Sequence, residues 1–84
     1  MGYDMANFYV LDTEQQATEC INACFTCWMD EYRDLNGYDI TTNTWYPLRR
    51  RATDSKYIVV ECDCYDNSDG YSLEAFSESW LPYS

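Results

Sequence analysis

The chain contains no histidine, only three glycines and only five positively charged residues. Without histidine it lacks the side chain that most often acts as a general base near neutral pH. The scattered glycines form no phosphate-binding loop, and no apolar run approaches the roughly 20 residues that span a membrane. Residues 1–4 also lack the basic start of a secretory signal. We therefore predict a cytoplasmic protein that is not an enzyme, uses no cofactor and has no membrane partner.

The few positive charges are confined to one segment of the chain. All five lie between Arg33 and Lys56, whereas residues 1–32 and 57–84 each contain six carboxylates and no Lys or Arg. The formal net charge is −10 at pH 7, and a field of that sign repels nucleic acid and attracts cationic surfaces. We therefore expect the partner to be a cationic protein surface rather than nucleic acid itself.

Hydrophobic periodicity predicts a strand followed by a long helix. Residues 5–11 are rich in strand-forming side chains. Thr13 and Gln16 have the spacing of a capping box, in which each side chain accepts a hydrogen bond from the other residue's backbone N–H. Apolar residues then recur every three to four positions up to Leu35, and Asn36-Gly37 indicates the end of the helix. The pattern predicts one amphipathic helix of about six turns.

The middle of the chain predicts less regular structure. Residues 38–43 have the composition of a loop, and residues 44–51 that of a strand which Pro47 confines to a sheet edge. Residues 52–55 have the composition of a turn.

The clearest strand runs from Lys56 to Tyr65. Its alternation puts one set of side chains toward the long helix, namely Ile58, Val60, Cys62 and Cys64. Ser72 is expected to cap a short helix that Pro82 ends. The 84 residues therefore predict a single domain, 1–84, of the α+β class. It would be a two-layer sandwich in which the long helix covers a three-stranded, mainly antiparallel sheet, with a short C-terminal helix.

Five cysteines are an odd number, and in the reducing cytosol they do not indicate a disulfide scaffold. They fall on the apolar sides of the predicted helix and strand, so we interpret them mainly as small packed apolar residues. One alternative is a structural zinc site with four thiolate ligands, which would be Cys24, Cys27, Cys62 and Cys64. A disulfide between Cys24 and Cys62 is a second alternative.

Arg49, Arg50 and Arg51 form the one basic cluster. Alternation along a strand sends Arg50 to the side opposite the other two, so the three do not form one patch. We therefore expect them to pair with nearby carboxylates inside the molecule. Contact with an acidic groove of a partner, or with RNA, is the alternative.

The carboxylates supply the candidate partner-binding residues. They fall into a set at the end of the long helix, a set along the last strand and its turn, and an i,i+4 pair on the final helix. Exposed tyrosines are expected to anchor the contact. In chain order the candidates are Asp30, Glu31, Asp34, Tyr57, Glu61, Asp63, Tyr65, Asp66, Asp69, Glu74 and Glu78. Ten negative charges match those on roughly 17 Å of duplex DNA, enough to occupy part of a nucleic-acid-binding channel.

A short, acidic chain that is rich in tyrosine and tryptophan and has no catalytic set resembles the small inhibitors encoded by phages and mobile elements, including anti-CRISPR and anti-restriction proteins. The resemblance covers the whole chain and is one of class, so it assigns no residue a role. It implies stoichiometric inhibition of a bacterial nucleic-acid-binding defence complex in the host cytoplasm. The predicted function is therefore a non-enzymatic protein-binding inhibitor, either monomeric or homodimeric. The alternatives are a small zinc-stabilised interaction module and a homodimeric accessory subunit.

Overall fold

The computed structural model describes residues 6–25, 30–45, 47–61 and 71–83. These residues form an α+β fold with one long helix, one short helix, a three-stranded antiparallel sheet and a small two-stranded sheet. The elements are, in chain order, β1 (Asn7–Leu11), α1 (Glu14–Phe25), α2 (Asp30–Leu35), β2 (Tyr38–Asp39), β3 (Thr44–Trp45), β4 (Tyr57–Val60), β5 (Ser72–Ala75) and a 3₁₀ helix (Glu78–Trp80). The predicted α+β class is confirmed.

β1 is the central strand of the larger sheet. It pairs antiparallel with β4 on one side and with β5 on the other. Its residues Phe8 to Leu11 are all buried, so both faces of this strand are covered. A run of consecutive apolar residues, rather than an alternating pattern, is typical of a strand covered on both sides.

Different parts of the chain cover the two faces of the sheet. Residues opposite each other in antiparallel strands share a face, so Phe8 and Val60 lie on the same side. The Phe8 ring contacts the Trp80 ring of the 3₁₀ helix, with the centroids 5.6 Å apart. Tyr57 lies on the other side, where it lines a cleft with Ile21 of α1. The prediction that the Val60 side faces the long helix is therefore wrong, because the C-terminal segment covers that side.

α1 begins with the capping box that the sequence predicts. The Thr13 hydroxyl accepts a hydrogen bond from the Gln16 N–H at 3.1 Å, and the Gln16 side-chain oxygen accepts one from the Thr13 N–H at 3.2 Å. Both bonds occupy backbone donors near the helix start that have no partner within the helix. The buried side of α1 carries Ala17, Cys20 and Ile21, which belong to the main core cluster. The position of Cys20 agrees with its interpretation as a packed apolar residue.

The structure has two helices where the sequence predicts one. α1 ends at Phe25 and α2 begins at Asp30, with residues 26–29 outside the described ranges. The predicted end of the helical segment is confirmed. The Asn36 and Gly37 N–H groups donate to backbone carbonyls of α2, and Gly37 has a φ of 90°, which glycine adopts without steric strain.

β2 and β3 form a hairpin in a segment that was predicted to be a loop and the start of a strand. Tyr38 pairs with Trp45, and Asp39 pairs with Thr44. The Asp39 carboxylate closes the turn by accepting bonds from the Thr41 N–H at 2.8 Å and the Thr41 hydroxyl at 2.6 Å. These bonds lower the pKa of Asp39 below its ordinary value of 3.8. Two-residue strands carry no usable periodicity, so the sequence pattern could not reveal the hairpin.

The predicted strand over residues 44–51 is wrong beyond β3, but its last residues run beside β4. Arg50 forms a single bridge with Tyr57. The outward N–H groups of β4 are bonded here, because Ile58 donates to the Arg49 carbonyl and Val60 donates to the Asn36 side-chain oxygen, both at 3.0 Å. The segment then reverses through the predicted turn over residues 52–55, which is confirmed.

The C-terminal helix begins later than the sequence predicts. Ser72, expected as its N-cap, lies in β5. Ser77 is the N-cap instead, and its hydroxyl accepts a bond at 3.3 Å from the backbone N–H two residues further on. Glu74 therefore lies on a strand and Glu78 on the 3₁₀ helix, so the predicted helical i,i+4 pair of these glutamates is wrong.

Candidate functional site

Five of the eleven candidate partner-binding residues have described side chains. They are Asp34, Tyr57, Glu61, Glu74 and Glu78. Four others lie outside the described residues, namely Asp63, Tyr65, Asp66 and Asp69. For Asp30 and Glu31 the structure describes only the backbone, at the start of α2.

The placed carboxylates do not form one continuous patch. Glu61 directly follows β4 and accepts a bond from the Asn7 amide at 3.3 Å, while Glu74 lies opposite Phe8 on β5. Asn7 and Phe8 are neighbours on β1, so their side chains point to opposite faces of the sheet. Glu61 and Glu74 are therefore separated both by the central strand and by the sheet itself.

Asp34 and Glu78 are the most open of the placed carboxylates. Both are exposed, Asp34 in the last turn of α2 and Glu78 at the start of the 3₁₀ helix. Neither forms an ion pair with any residue that the structure describes. Their charges are therefore available to a partner.

Glu74 has an internal partner. Arg51 donates to its carboxylate at 3.0 Å and also binds both oxygens of Asp54, at 2.7 and 2.6 Å. The same guanidinium lies 4.9 Å from the centre of the Trp80 ring. Hydrogen bonding to Arg51 lowers the pKa of Asp54 to about 2, and the two carboxylates raise the pKa of Arg51. This cluster joins the turn over residues 52–55 to β5 and the 3₁₀ helix.

The arginine cluster divides between the two sides of the sheet, as the sequence predicts. Arg49 donates to the Tyr83 hydroxyl at 2.8 Å, and its guanidinium lies 5.0 Å from the Tyr83 ring centre. Arg50 lies on the Tyr57 side, where its guanidinium is 4.7 Å from that ring centre and its Nε–H donates to the Ser55 carbonyl at 2.9 Å. The expected pairing with carboxylates is confirmed for Arg51; Arg49 and Arg50 contact tyrosine rings instead.

Tyr57, expected to be an exposed anchor, is half-buried beneath Arg50. It contributes to a cleft of about 570 Å³ between α1 and the segment that leads into β4. The cleft is lined by Glu14, Thr18, Ile21, Asn22, Trp45, Pro47, Leu48, Arg50 and Tyr57. This cleft could not be predicted from the sequence, because its walls come from three separate stretches of the chain.

The zinc hypothesis stays a prediction. Of its four ligands, Cys27, Cys62 and Cys64 lie outside the described residues, and only the backbone of Cys24 is described. Within the described ranges, no group of three or more His, Cys, Asp or Glu side chains is arranged to hold a metal ion.

Comparison of the chain with protein-family models, with curated proteins and with solved structures found no match. In the part of the chain that the structure describes, no helix combines the length and the apolar character needed to cross a membrane.

Proposed function

We propose that the protein is a non-enzymatic inhibitor that binds a bacterial nucleic-acid-binding defence complex through its surface carboxylates. The main supporting observation is an asymmetry in how its charges are used. Lys56 pairs with Asp12 at 3.1 Å, Arg51 is held by two carboxylates, and Arg33 is buried. Arg49 and Arg50 lie against tyrosine rings of the same chain. The exposed carboxylates Asp34 and Glu78 make no ion pair with a described residue, and the formal net charge is −10. The negative charge therefore remains directed toward solvent and potential partners.

The size of the molecule fits this proposal. Its principal extents are 30 × 27 × 23 Å, and the negative charge it carries corresponds to that of roughly 17 Å of duplex DNA. A protein of these dimensions fills part of a channel lined by Lys and Arg and competes there with a nucleic-acid backbone. Long-range attraction between opposite charges speeds such an encounter and weakens as salt screens it.

The first experiment identifies the target and the stoichiometry. Purified CRISPR effector complexes and restriction enzymes are assayed for nucleic-acid cleavage while the protein is titrated in. We expect one of them to lose activity in proportion to added protein, with complete loss near one protein per binding site. Complete loss at a small fraction of that amount would indicate turnover and contradict a non-enzymatic mechanism. Cleavage that is unchanged by a large excess in every assay would contradict the proposed target class.

The second experiment locates the contact. Asp34→Lys and Glu78→Lys each change the net charge by two units at an exposed candidate residue. Glu19→Lys makes the same change at an exposed residue of α1 outside the candidate surface, and so serves as the matched control. We expect association with the identified complex to slow by about tenfold for at least one candidate variant and by less than about twofold for the control. Equal effects at all three positions would show that only the overall charge matters.

The salt dependence of association provides an independent test. Between low and physiological ionic strength, the association rate should fall steeply while the dissociation rate changes little. An association rate that does not vary over this range would contradict electrostatic capture.

A further inference from the structure

The cleft beside α1 has the composition of a binding site. Its apolar lining residues are Ile21, Trp45, Pro47, Leu48 and Tyr57. Its volume of about 570 Å³ lies within the usual range for sites that bind small molecules or side chains, roughly 300–1,000 Å³. Such sites combine an apolar surface with a few polar groups that select the ligand.

Arg50 is the positively charged residue that lines this cleft. Its hydrogen bond to Ser55 uses one of the five N–H donors of the guanidinium. Its Nε–H is bonded to the Ser55 carbonyl and its plane lies over the Tyr57 ring, so the guanidinium is held in place. No carboxylate among the described residues forms an ion pair with it. The sequence has fifteen acidic residues and five basic ones, so an exposed arginine with no carboxylate partner in the described part of the chain is unexpected. A guanidinium has five N–H donors and binds carboxylates with two parallel bonds.

Glu14, in the first turn of α1, also lines the cleft. Its carboxylate has a structural explanation, since a negative charge at a helix N-terminus is stabilised by the helix dipole. It forms no ion pair with Arg50 in the described structure. Its negative charge disfavours the binding of an anion in the cleft. Removing that charge should therefore strengthen the binding of an anionic ligand.

We propose that this cleft binds a segment of a partner protein in which a large apolar side chain lies next to a carboxylate. The apolar side chain would pack against Trp45 and Leu48, and the carboxylate would bind the guanidinium of Arg50. Such a segment is complementary to an apolar lining next to a fixed cation that pairs with no carboxylate among the described residues. This contact uses a positive charge of the protein, whereas the contact under the proposed function uses its carboxylates. The two proposals are independent of each other.

The test uses the full chain and three blocked peptides. The first peptide is acetyl-Gly-Phe-Glu-Gly-amide, the second has Gln in place of Glu, and the third has Ala in place of Phe. Binding is followed by NMR through the indole N–H of Trp45 and the methyl groups of Leu48. We expect the first peptide to shift these signals with a Kd at or below about 1 mM, and each of the other two to bind at least about tenfold more weakly.

Variants of the protein decide which group recognises the carboxylate. Arg50→Gln should weaken the first peptide by about tenfold or more, and Glu14→Gln should strengthen it, because a repelling charge is removed. Arg49→Gln is the matched control, since Arg49 lies on the other side of the sheet and contacts Tyr83. Neither Arg50→Gln nor Arg49→Gln should change the binding of the Gln peptide.

Four outcomes would overturn the proposal. The first is that no peptide shifts the cleft signals at several millimolar. The second is that Arg50→Gln and Arg49→Gln have equal effects. The third is that N-acetyl-phenylalanine binds more tightly than the first peptide, which would identify the occupant as a small aromatic acid. The fourth is that the same signals shift with protein concentration alone, which would identify it as a second copy of the chain.

Discussion

Asn36 supports a quantitative prediction, because a buried side chain here joins a helix end to a sheet edge. The residue is 4% exposed. Its amide nitrogen donates to the Tyr32 carbonyl at 3.1 Å, and its amide oxygen accepts from the Val60 N–H at 3.0 Å. Replacing it with alanine removes both bonds and introduces no new polar group.

The two lost bonds have different costs. The Tyr32 carbonyl still accepts a bond from the Asn36 backbone N–H at 3.1 Å, so losing the side-chain donor costs about 0.5–1 kcal/mol. The Val60 N–H belongs to a residue only 5% exposed, and a buried donor left without a partner costs about 1–3 kcal/mol. We therefore expect Asn36→Ala to lower the free energy of unfolding by about 1.5–4 kcal/mol. For a domain of this size that corresponds to a fall in Tm of about 6–30 °C.

The assay is urea unfolding followed by tryptophan fluorescence, combined with hydrogen exchange at the Val60 amide. Asn22→Ala is the matched control, because Asn22 is exposed on α1 and alanine is a better helix former. The control should change stability by no more than about 0.5 kcal/mol. A loss of less than about 0.5 kcal/mol in Asn36→Ala, with Val60 exchange unchanged, would refute the assignment of this bond as an important one.

Three further predictions concern local stability. Arg51→Gln should lower the free energy of unfolding in urea by about 1–3 kcal/mol, because it disconnects Asp54 and Glu74 from one largely buried guanidinium; an unchanged midpoint would contradict this. The pKa of Asp54 is lowered from 3.8 to about 2 in the folded protein, so its carboxylate contributes stability above pH 4 that is lost as pH falls toward 2. The difference in Tm between wild type and Asp54→Asn should accordingly shrink from pH 5 to pH 2, and a constant difference would contradict the pairing with Arg51. Thr13→Ala should cost about 1 kcal/mol by removing one half of the capping box with Gln16, measured by thermal unfolding.

The sequence predicted best those features that short-range chemistry determines. The capping box of Thr13 and Gln16 and the helix end at Gly37 each depend on residues within four positions of one another. The opposite directions of Arg50 and Arg51 follow from strand alternation alone. Each of these could be inferred without knowing which elements become neighbours.

The features that were missed depend on contacts between distant parts of the chain. Ser72 to Ala75 contains Leu, Glu and Ala, which favour helices, yet it forms β5 because it pairs with the central strand β1. Tertiary pairing overrides local propensity in such a segment. The cleft was missed for the same reason. Glu14 and Arg50 are distant in sequence, and they line one cleft only because of how α1 packs in the folded protein.

The bonds at the outer edge of β4 have a consequence for behaviour at high concentration. Edge strands with unbonded N–H groups recruit strands from other molecules and so promote aggregation. Here the two outward donors of β4 are already occupied, that of Ile58 by the Arg49 carbonyl and that of Val60 by Asn36. If the proposed function is correct, the protein must accumulate to at least the level of its target. Closing this edge removes one route by which such accumulation would end in intermolecular sheets.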